Sequence, residues 1–361
     1  LLLDIKVNRS KYKYHLNSRV NSLIFILLAL MIIAMFVLNL LLGSVSIPVL
    51  QVVRTLLGME VKDLSFVTII LQSRLPMAIT AMLAGAALGV AGLMMQTLFR
   101  NPLAGPSVLG VSSGASLGVA LVMLFIAIPG GSFVAVSQIS GKYSVIIAAF
   151  VGSSIVLFII SLLASRFNSN TIILIIGIMI AYATSSLVGI LQFYSLKEDL
   201  QAFVIWGLGS FGNVPLSLIT TFALLTAIGL TLSVLLIKPL NLFLLGEYYA
   251  INLGLNTKKS RYWILITTGL LTATVTAFCG PIAFLGLAVP HIARTIFQTS
   301  DHRIILPGSL LCGALLALVC NIIARLPGID SALPINAITS LIGAPIVIWL
   351  LVKKNTMKIV D

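Results

Sequence analysis

The acidic side chains limit the chemistry that this chain can carry out inside a membrane. All nine Asp and Glu residues fall outside the middles of the long apolar runs. Proton-coupled carriers generally use a carboxylate inside the membrane as their coupling group. A proton-driven carrier is therefore disfavoured, whereas a sodium site built from backbone carbonyls stays open. The sequence also lacks a GxxxxGK[ST] nucleotide-binding motif, so a pump would have to take its energy from a partner.

The histidine and cysteine side chains do not form a metal-binding pattern. His291 and Arg294 stand near the inner end of an apolar run, but no second ligand follows at a helical spacing, which favours a structural role. Cys279, Cys312 and Cys320 match no metal motif and are interpreted as packing residues. We therefore expect this chain to bind no metal and no cofactor of its own. A membrane-embedded enzyme ranks last, because no apolar run holds paired carboxylates or a His/Cys cluster.

Polar residues form a stripe on the last apolar run. Four positions fall at i, i+3, i+4 and i+7: Asn336, Thr339, Ser340 and Gly343. This spacing places them on one face of a helix that is otherwise apolar. Such a stripe faces either a neighbouring helix or a water-filled path, and the spacing alone leaves both open. Thr184 and Ser185 form a second, weaker patch in the fifth apolar run.

The composition indicates that a membrane bundle positions these residues. The chain is 59% hydrophobic and 9% charged, whereas soluble domains carry about a quarter charged residues. At about 20 apolar residues for each crossing, we predict an all-α polytopic membrane protein with ten transmembrane helices: 23–42, 75–98, 107–128, 143–164, 171–193, 214–237, 262–280, 281–298, 304–325 and 333–352. They form one domain over 23–352, between an N-terminal segment 1–22 and a tail 353–361. The length of the first run predicts a retained helix rather than a signal peptide.

Glycine spacing predicts close packing within this bundle. Gly85 and Gly89 stand four residues apart, and so do Gly110, Gly114 and Gly118. Small residues at this spacing let helices approach closely in lipid. Between the fifth and sixth runs, 195–213 contains a short apolar segment that we expect to form a surface or re-entrant helix.

The basic residues orient the predicted bundle. With the N-terminus inside, 16 of the 22 Lys and Arg residues lie in inner segments. The positive-inside rule therefore places both termini, and the stretch 245–255, in the cytoplasm. The net charge of +13 is scattered through short loops. This pattern indicates contact with membrane lipid and argues against a nucleic-acid partner.

The stretch 245–255, which reads LGEYYAINLGL, is the inner loop with a helical pattern of its own. It carries Glu247 near its start and Gly254, a natural helix stop, near its end. A short, partly charged helix cannot lie in hydrocarbon, so it must lie at the surface. The local sequence fits two interpretations equally well. The stretch is either an ordinary interfacial helix or a coupling helix, through which a bound protein moves this chain.

Several long stretches resemble the FecCD family of permeases. They are RLPMAITAMLAGAALGVAGLMMQTLFRNPLAGPSVLGVSSGASLG at 74–118, LGEYYAINLGL at 245–255, GPIAFLGLAVPHIARTIFQTSDHRIILPGSLLCGALLAL at 280–318 and LPINAITSLIGAPIVIWLLVKK at 333–354. The resemblance implies a type II ABC importer permease in the bacterial cytoplasmic (inner) membrane. It also implies a second copy or a related permease as partner, two ATP-binding subunits that hold ATP and Mg, and an extracytoplasmic substrate-binding protein. This chain would then not be an enzyme itself.

The resemblance also assigns roles to residues. It implies that 245–255 couples to the ATPase, through Gly246, Glu247, Ala250, Leu253 and Gly254. It places the inner gate in two cytoplasmic turns, with Asn101 and Leu103 in the first and Asn170 and Thr171, after Ser169, in the second. The path would lie between two copies and be lined by the fifth and tenth helices, which include Thr184, Ser185, Asn336, Thr339 and Ser340.

Docking of the binding protein is the last role that the resemblance implies. Arg74 and Arg325 occupy the family's outer arginine positions, and the alternative for both is simple snorkelling at helix ends. Met77 replaces a third arginine found in the vitamin B12 member, which counts against that cargo.

The leading hypothesis is an importer permease for an iron chelate, a ferric siderophore or haem. The alternatives are a cobalamin importer and, from another class, a stand-alone secondary carrier.

Overall fold

The computed structural model describes residues 2–43, 45–61, 63–125, 141–166, 170–326 and 332–359, and the described chain is helical throughout. The α-helices are α1 (Leu2–Leu41), α2 (Val49–Leu56), α3 (Leu64–Thr68), α4 (Leu75–Leu98), α5 (Val111–Ala120), α6 (Gly141–Arg166), α7 (Asn170–Tyr194), α8 (Lys197–Gly207), α9 (Leu216–Leu235), α10 (Ile237–Leu245), α11 (Glu247–Asn252), α12 (Thr257–Cys279), α13 (Leu285–Phe297), α14 (His302–Ile323) and α15 (Ile335–Ile359). A π-helical stretch, Ile69–Arg74, joins α3 to α4, and another, Leu121–Phe125, extends α5.

The predicted spans correspond to helices of the structure. Seven helical segments in the described part of the chain are long and apolar enough to cross a membrane: Arg19–Leu41, Leu64–Leu98, Tyr143–Ala164, Thr171–Tyr194, Leu216–Leu235, Thr257–Cys279 and His302–Ile323. Three shorter apolar helices supply the remainder: Val111–Leu124, Leu285–Phe297 and Ile335–Trp349. The all-α, ten-helix class predicted from the sequence is confirmed. Helix α1 begins at Leu2 and runs through the segment predicted before the first span, and the candidate span itself starts at Arg19.

Helix α4 lies at the centre of the bundle, packed against α9, α12, α13 and α14. Its glycines let neighbouring backbones touch it. A Cβ at Gly92 would lie 1.7 Å from the carbonyl oxygen of Gly286, and a Cβ at Gly85 would lie 2.1 Å from that of Gly313. The close packing predicted from the glycine spacing is therefore confirmed for this helix. An added methyl group at either position would require the helices to separate.

The predicted eighth span is shorter than expected. Its helix, α13, begins only at Leu285, and the chain from Gly280 to Phe284 is irregular. Gly280 has φ +76° and Phe284 has φ +65°, so the backbone turns sharply at both ends of the break. A Cβ at Gly280 would lie 2.5 Å from the carbonyl oxygen of Trp206. Helix α8, which fulfils the prediction of a helix within 195–213, thus packs its end against this break.

Candidate coupling and gate site

The predicted coupling stretch, 245–255, contains a separate short helix with defined ends. α11 starts after Gly246, whose φ of +107° permits the turn out of α10. At its end, the Leu255 amide donates to the Ala250 carbonyl and the Gly254 amide to the Ile251 carbonyl, both at 2.9 Å. This pair of bonds is the Schellman motif, and Gly254 takes the left-handed position with φ +84°. The helix stop that the sequence predicts at Gly254 is confirmed.

Two side chains fasten α11 to the bundle. Glu247 Oε1 lies 2.7 Å from Nη2 of Arg261, and the Arg261 side chain is 2% exposed. Ala250 is fully buried beneath the helix. A buried guanidinium needs a compensating charge, so the pair ties the start of α11 to the first turns of α12. The pair therefore links the position of α11 to that of α12.

The exposed face of α11 is apolar. Tyr248, Tyr249, Ile251 and Leu253 expose 86%, 67%, 51% and 61% of their surface. A partner that meets this segment would touch these four residues. Ala250 and Gly246 are both buried within the chain, and their role in coupling stays a prediction. Their small size serves internal packing and the turn, whereas Leu253 remains on the contact face.

The first predicted gate turn lies directly beside this segment. At the end of α4, Arg100 takes the left-handed conformation with φ +48°. Its Nη1 lies 3.6 Å from where a Cβ of Gly246 would be. The Asn101 side chain then accepts a hydrogen bond from the Leu103 amide at 2.9 Å, which closes the turn. Leu103 is half-exposed and projects from it.

Helix α13 holds this turn in place. His291 Nε2 donates to the Pro102 carbonyl at 3.0 Å, and Arg294 Nη1 donates to Gln96 Oε1 at 2.6 Å. The Gln96 amide in turn reaches the Leu287 carbonyl at 3.2 Å. His291 and Arg294 therefore act structurally, as their isolated positions in the sequence suggested. Their specific task, which is to hold a turn 189 residues away, has no local sequence signal.

A second polar cluster joins α10 to the same end of α4, and the sequence analysis missed it. The Asn241 amide group donates to Asp301 Oδ1 at 2.7 Å, and its oxygen accepts from the His302 backbone amide at 2.8 Å. The His302 ring lies 2.9 Å from Thr97 Oγ1. Burial alone would raise the pKa of Asp301, but hydrogen bonds from the Arg303 amide and Asn241 and the charge of Arg303 lower it below its usual value. A carboxylate here thus stays ionised.

The second gate turn is described only in part. Ser169 lies outside the described residues, Asn170 is the first residue of α7, and Thr171 is exposed beside it. Within α7, Thr184 is buried and hydrogen-bonds the Ile180 and Ala181 carbonyls, whereas Ser185 is exposed. The two side chains therefore point to different surroundings and do not form one patch.

The polar stripe of the last span makes a contact with a neighbouring segment. Asn336 Oδ1 accepts a hydrogen bond from the Ala283 backbone amide at 3.0 Å, and the backbone amide of Asn336 donates to the Leu208 carbonyl at 3.2 Å. A Cβ at Gly343 would lie 2.6 Å from that of Phe284. The Thr339 and Ser340 hydroxyls donate to the Asn336 carbonyl. Asn336 and Gly343 thus pack α15 on the 280–284 break, whereas lining of a transport path by Asn336, Thr339 and Ser340 stays a prediction.

The outer arginines are bound within the chain. Arg74 is 2% exposed and donates to the carbonyls of Leu40 and Leu41, at 2.8 and 2.7 Å, and of Val45. Its guanidinium therefore closes the end of α1, where carbonyl groups lack helical partners. Arg74 is thus largely withdrawn from solvent in this chain, and its role in docking stays a prediction. This burial differs from snorkelling, in which the charge would reach water.

Arg325 is only partly withdrawn from solvent. Its Nη2 donates to Asn39 Oδ1 at 3.0 Å and its Nε to the Asn321 carbonyl at 3.4 Å. Burial, together with the charge of Arg74, lowers the pKa of Arg325 to about 10. The arginine still carries its charge at neutral pH, on the surface opposite to α11.

These features define a membrane transport protein of the permease class. The bundle has no carboxylate in the middle of a span, and one end carries an anchored, exposed helix beside a structured turn. The FecCD transport family matches residues 30–353, so the chain belongs to that family.

Individual relatives agree with this assignment. The hemin transport system permease protein HmuU of Yersinia pestis is 34% identical over 337 residues, which cover 92% of this chain and 96% of that protein. The vitamin B12 import system permease protein BtuC of Salmonella paratyphi A is 35% identical over 283 residues, covering 78% and 83%. Among solved structures, an inward-facing metal-chelate type ABC transporter matches with a TM-score of 0.78 and 29% identity, over 91% of this chain and 99% of that one.

Proposed function

We propose that this FecCD permease works with separate ATP-binding subunits that seat against the exposed face of α11. The observation that carries the proposal is the combination of an apolar outer face, at Tyr248, Tyr249, Ile251 and Leu253, with a buried charge pair behind it. Because the buried pair fixes this face to α12, a movement of the bound ATP-binding subunit would displace α12 as well. A flexible loop would bend instead and leave α12 in place. In this arrangement ATP and Mg bind to the partner subunits, and this chain catalyses no reaction.

The same arrangement suggests how this movement reaches the gate. Arg100 adjoins Gly246, and the turn after Arg100 is held by α13 through His291. A displacement of α11 would therefore also displace Leu103, the half-exposed residue that we propose as a gate residue. Asn170 and Thr171 would supply the second gate turn. The 16 basic residues on the inner side support a cytoplasmic location for this end and for both termini, in a bacterial inner membrane.

For the cargo, we propose an iron chelate, either a ferric siderophore or haem. The similarity to a hemin permease over 92% of this chain and to a metal-chelate type transporter supports this choice. Cobalamin is the second candidate, supported by the similarity to a vitamin B12 permease over 78% of the chain. At the position of that member's third outer arginine stands Met77, whose side chain packs against Gly212.

The proposed partners follow from surfaces that the single chain leaves uncovered. Large apolar side chains project from α7 and α15, including Phe193, Tyr182 and Leu341, exposed by 82%, 68% and 77%. We propose that a second permease, identical or related, covers these faces and that the substrate path runs between the two copies. On the opposite end, Arg325 is the arginine still available to a docking protein's carboxylates.

The test is ATP-driven uptake in proteoliposomes that contain the permease, its ATP-binding subunits and its binding protein. Haem, a ferric siderophore and cobalamin are supplied in separate reactions. We expect uptake of an iron chelate that requires ATP. Uptake that follows a sodium gradient without ATP would contradict the proposal and support the secondary carrier.

A further inference from the structure

A groove of about 460 Å³ opens on the side of the bundle between α6 and α12. Its lining residues are Ser154, Leu157, Phe158, Ser161, Leu162, Tyr262 and Ile266. Phe158 and Tyr262 are exposed by 63% and 45%, so the groove opens outward from the bundle. Both helices cross the membrane in this fold, and the groove therefore faces lipid.

Close contact at one point sets the shape of the groove. A Cβ at Gly269 would lie 2.4 Å from the Leu157 side chain, so α6 and α12 touch there. Tyr262 lies two helical turns from Gly269 toward the start of α12. The groove opens in that direction, toward the end of the bundle that carries α11. Its lining is apolar apart from two serines and the tyrosine hydroxyl.

One polar atom in the groove has no partner. Ser161 is 4% exposed, and its hydroxyl makes no hydrogen bond among the described residues. Most buried hydroxyls find an acceptor, often the carbonyl four residues earlier. Thr184 does so with Ile180 in the neighbouring helix. An oxygen from outside the chain would satisfy the Ser161 hydroxyl, and the Ser161 side chain is part of the groove lining.

Basic residues stand at the open end of the groove on both walls. On α6, Leu162 is followed four residues later by Arg166, and on α12, Tyr262 is preceded four residues earlier by Lys258. Residues four apart share a helix face. Because α6 and α12 are the fourth and seventh crossings and therefore run in opposite directions, both exposed cations extend the groove at the same end. No carboxylate lines the groove.

The distances match the layers of a bilayer leaflet. Arg166 lies five residues beyond Ser161, which corresponds to ~7.5 Å along the helix. The polar layer on each side of the hydrocarbon core is about 5–8 Å thick. A phosphate held at Arg166 and Lys258 would therefore place the ester oxygens of its lipid near the Ser161 hydroxyl. The acyl chain would then lie along Leu157, Phe158 and Ile266.

We propose that this groove binds one anionic phospholipid. Its phosphate lies between Arg166 and Lys258, an ester oxygen accepts the Ser161 hydroxyl, and an acyl chain fills the apolar floor. Basic pockets between membrane helices recognise anionic headgroups through this combination of charge and shape.

The test is native mass spectrometry of the full-length permease from micelles that contain equal amounts of dioleoyl phosphatidylglycerol and dioleoyl phosphatidylcholine. We expect one phosphatidylglycerol to remain bound per permease. In the Arg166→Gln/Lys258→Gln variant, retention should fall by about tenfold or more, because two cations near the headgroup are lost. The matched control is Lys238→Gln/Arg303→Gln, which removes two exposed cations away from the groove and should retain the lipid.

A second variant probes the groove itself. Ser161→Leu removes the hydroxyl and fills the space, so a folded Ser161→Leu permease, verified by its thermal midpoint, should lose the bound lipid. If this variant does not fold, the charge variants decide alone. Equal retention of both lipids, or equal losses in the two charge variants, would overturn the proposal. A dimer mass without lipid would also overturn it, since a second copy would then occupy the groove.

Discussion

Buried arginines stand at both ends of this bundle, and the two ends use them differently. At the α11 end, Arg261 pairs with the carboxylate of Glu247. At the opposite end, Arg74 donates to the carbonyls of Leu40, Leu41 and Val45. In the first case the counter-charge belongs to an exposed helix of six residues. In the second it is the partial negative charge at the end of a long span.

The difference separates a movable attachment from a fixed one. The Arg261–Glu247 pair joins two elements that share few other contacts, so its integrity decides whether α11 follows α12. Arg74 instead closes the end of α1 within the wall of the bundle, where several helices already pack. A change at Arg74 should therefore damage the fold, whereas a change at Glu247 should release one segment.

The largest effect is expected for Arg74→Glu. The substitution places a carboxylate against three carbonyl oxygens in a site that is 2% exposed, and an uncompensated buried charge costs about 3–5 kcal/mol. The folded yield and the thermal midpoint in detergent should fall sharply. Lys197→Gln, at an exposed cation on the same side of the bundle, is the control. If the Arg74→Glu permease is stable and loses only its association with the binding protein, that result would instead support a docking role for Arg74.

A smaller and local effect is expected for Glu247→Gln. It removes the negative charge that pairs with the buried Arg261, and because Glu247 is 34% exposed the cost is about 1–2 kcal/mol. Hydrogen exchange should accelerate at 245–255 and not in α4. The double variant Glu247→Gln/Arg261→Gln should recover part of the protection, and Glu198→Gln serves as an exposed control. Unchanged exchange at 245–255 would mean that the pair does not anchor α11.

Two glycines with similar conformations allow a finer comparison. Gly254 and Gly58 have φ of +84° and +67°, and neither has an atom within 4 Å of an added Cβ. Alanine at either position should therefore cost about 1–2 kcal/mol through backbone strain alone. The thermal midpoints should shift alike, but only Gly254→Ala should reduce the amount of ATP-binding subunit that copurifies. Equal copurification of both variants would argue against a role for this turn in assembly.

The sequence predicted the elements of this fold better than the orientation of their side chains. Hydropathy and glycine spacing located the spans and the close contact of α4 with its neighbours. In α11, by contrast, six residues are too few for a periodic pattern to show which face is buried, so the sequence does not predict that Ala250 is buried. Its burial depends on where α12 runs, which is a tertiary property.

Polar groups with distant partners were also beyond the sequence. The spacing of Asn336, Thr339, Ser340 and Gly343 correctly predicted one helix face, but not its neighbour. That neighbour is the irregular 280–284 segment, most of which the hydropathy pattern assigns to the start of the eighth predicted span, 281–298. Likewise, Arg74 was recognised as an arginine at the end of a span, but its carbonyl partners lie about 30 residues earlier and become close only when α1 and α4 pack together.

The central claim is that the outer face of α11, and not its buried side, transmits energy to the transport path. The direct test measures ATP hydrolysis and uptake on the same reconstituted sample of the Tyr248→Ala/Leu253→Ala variant. Both side chains are exposed, so stability should change by less than about 0.5 kcal/mol, while uptake per ATP hydrolysed should fall about tenfold, as expected for the loss of ~1.4 kcal/mol of contact energy. Uptake per ATP equal to that of the unmodified complex would contradict the claim.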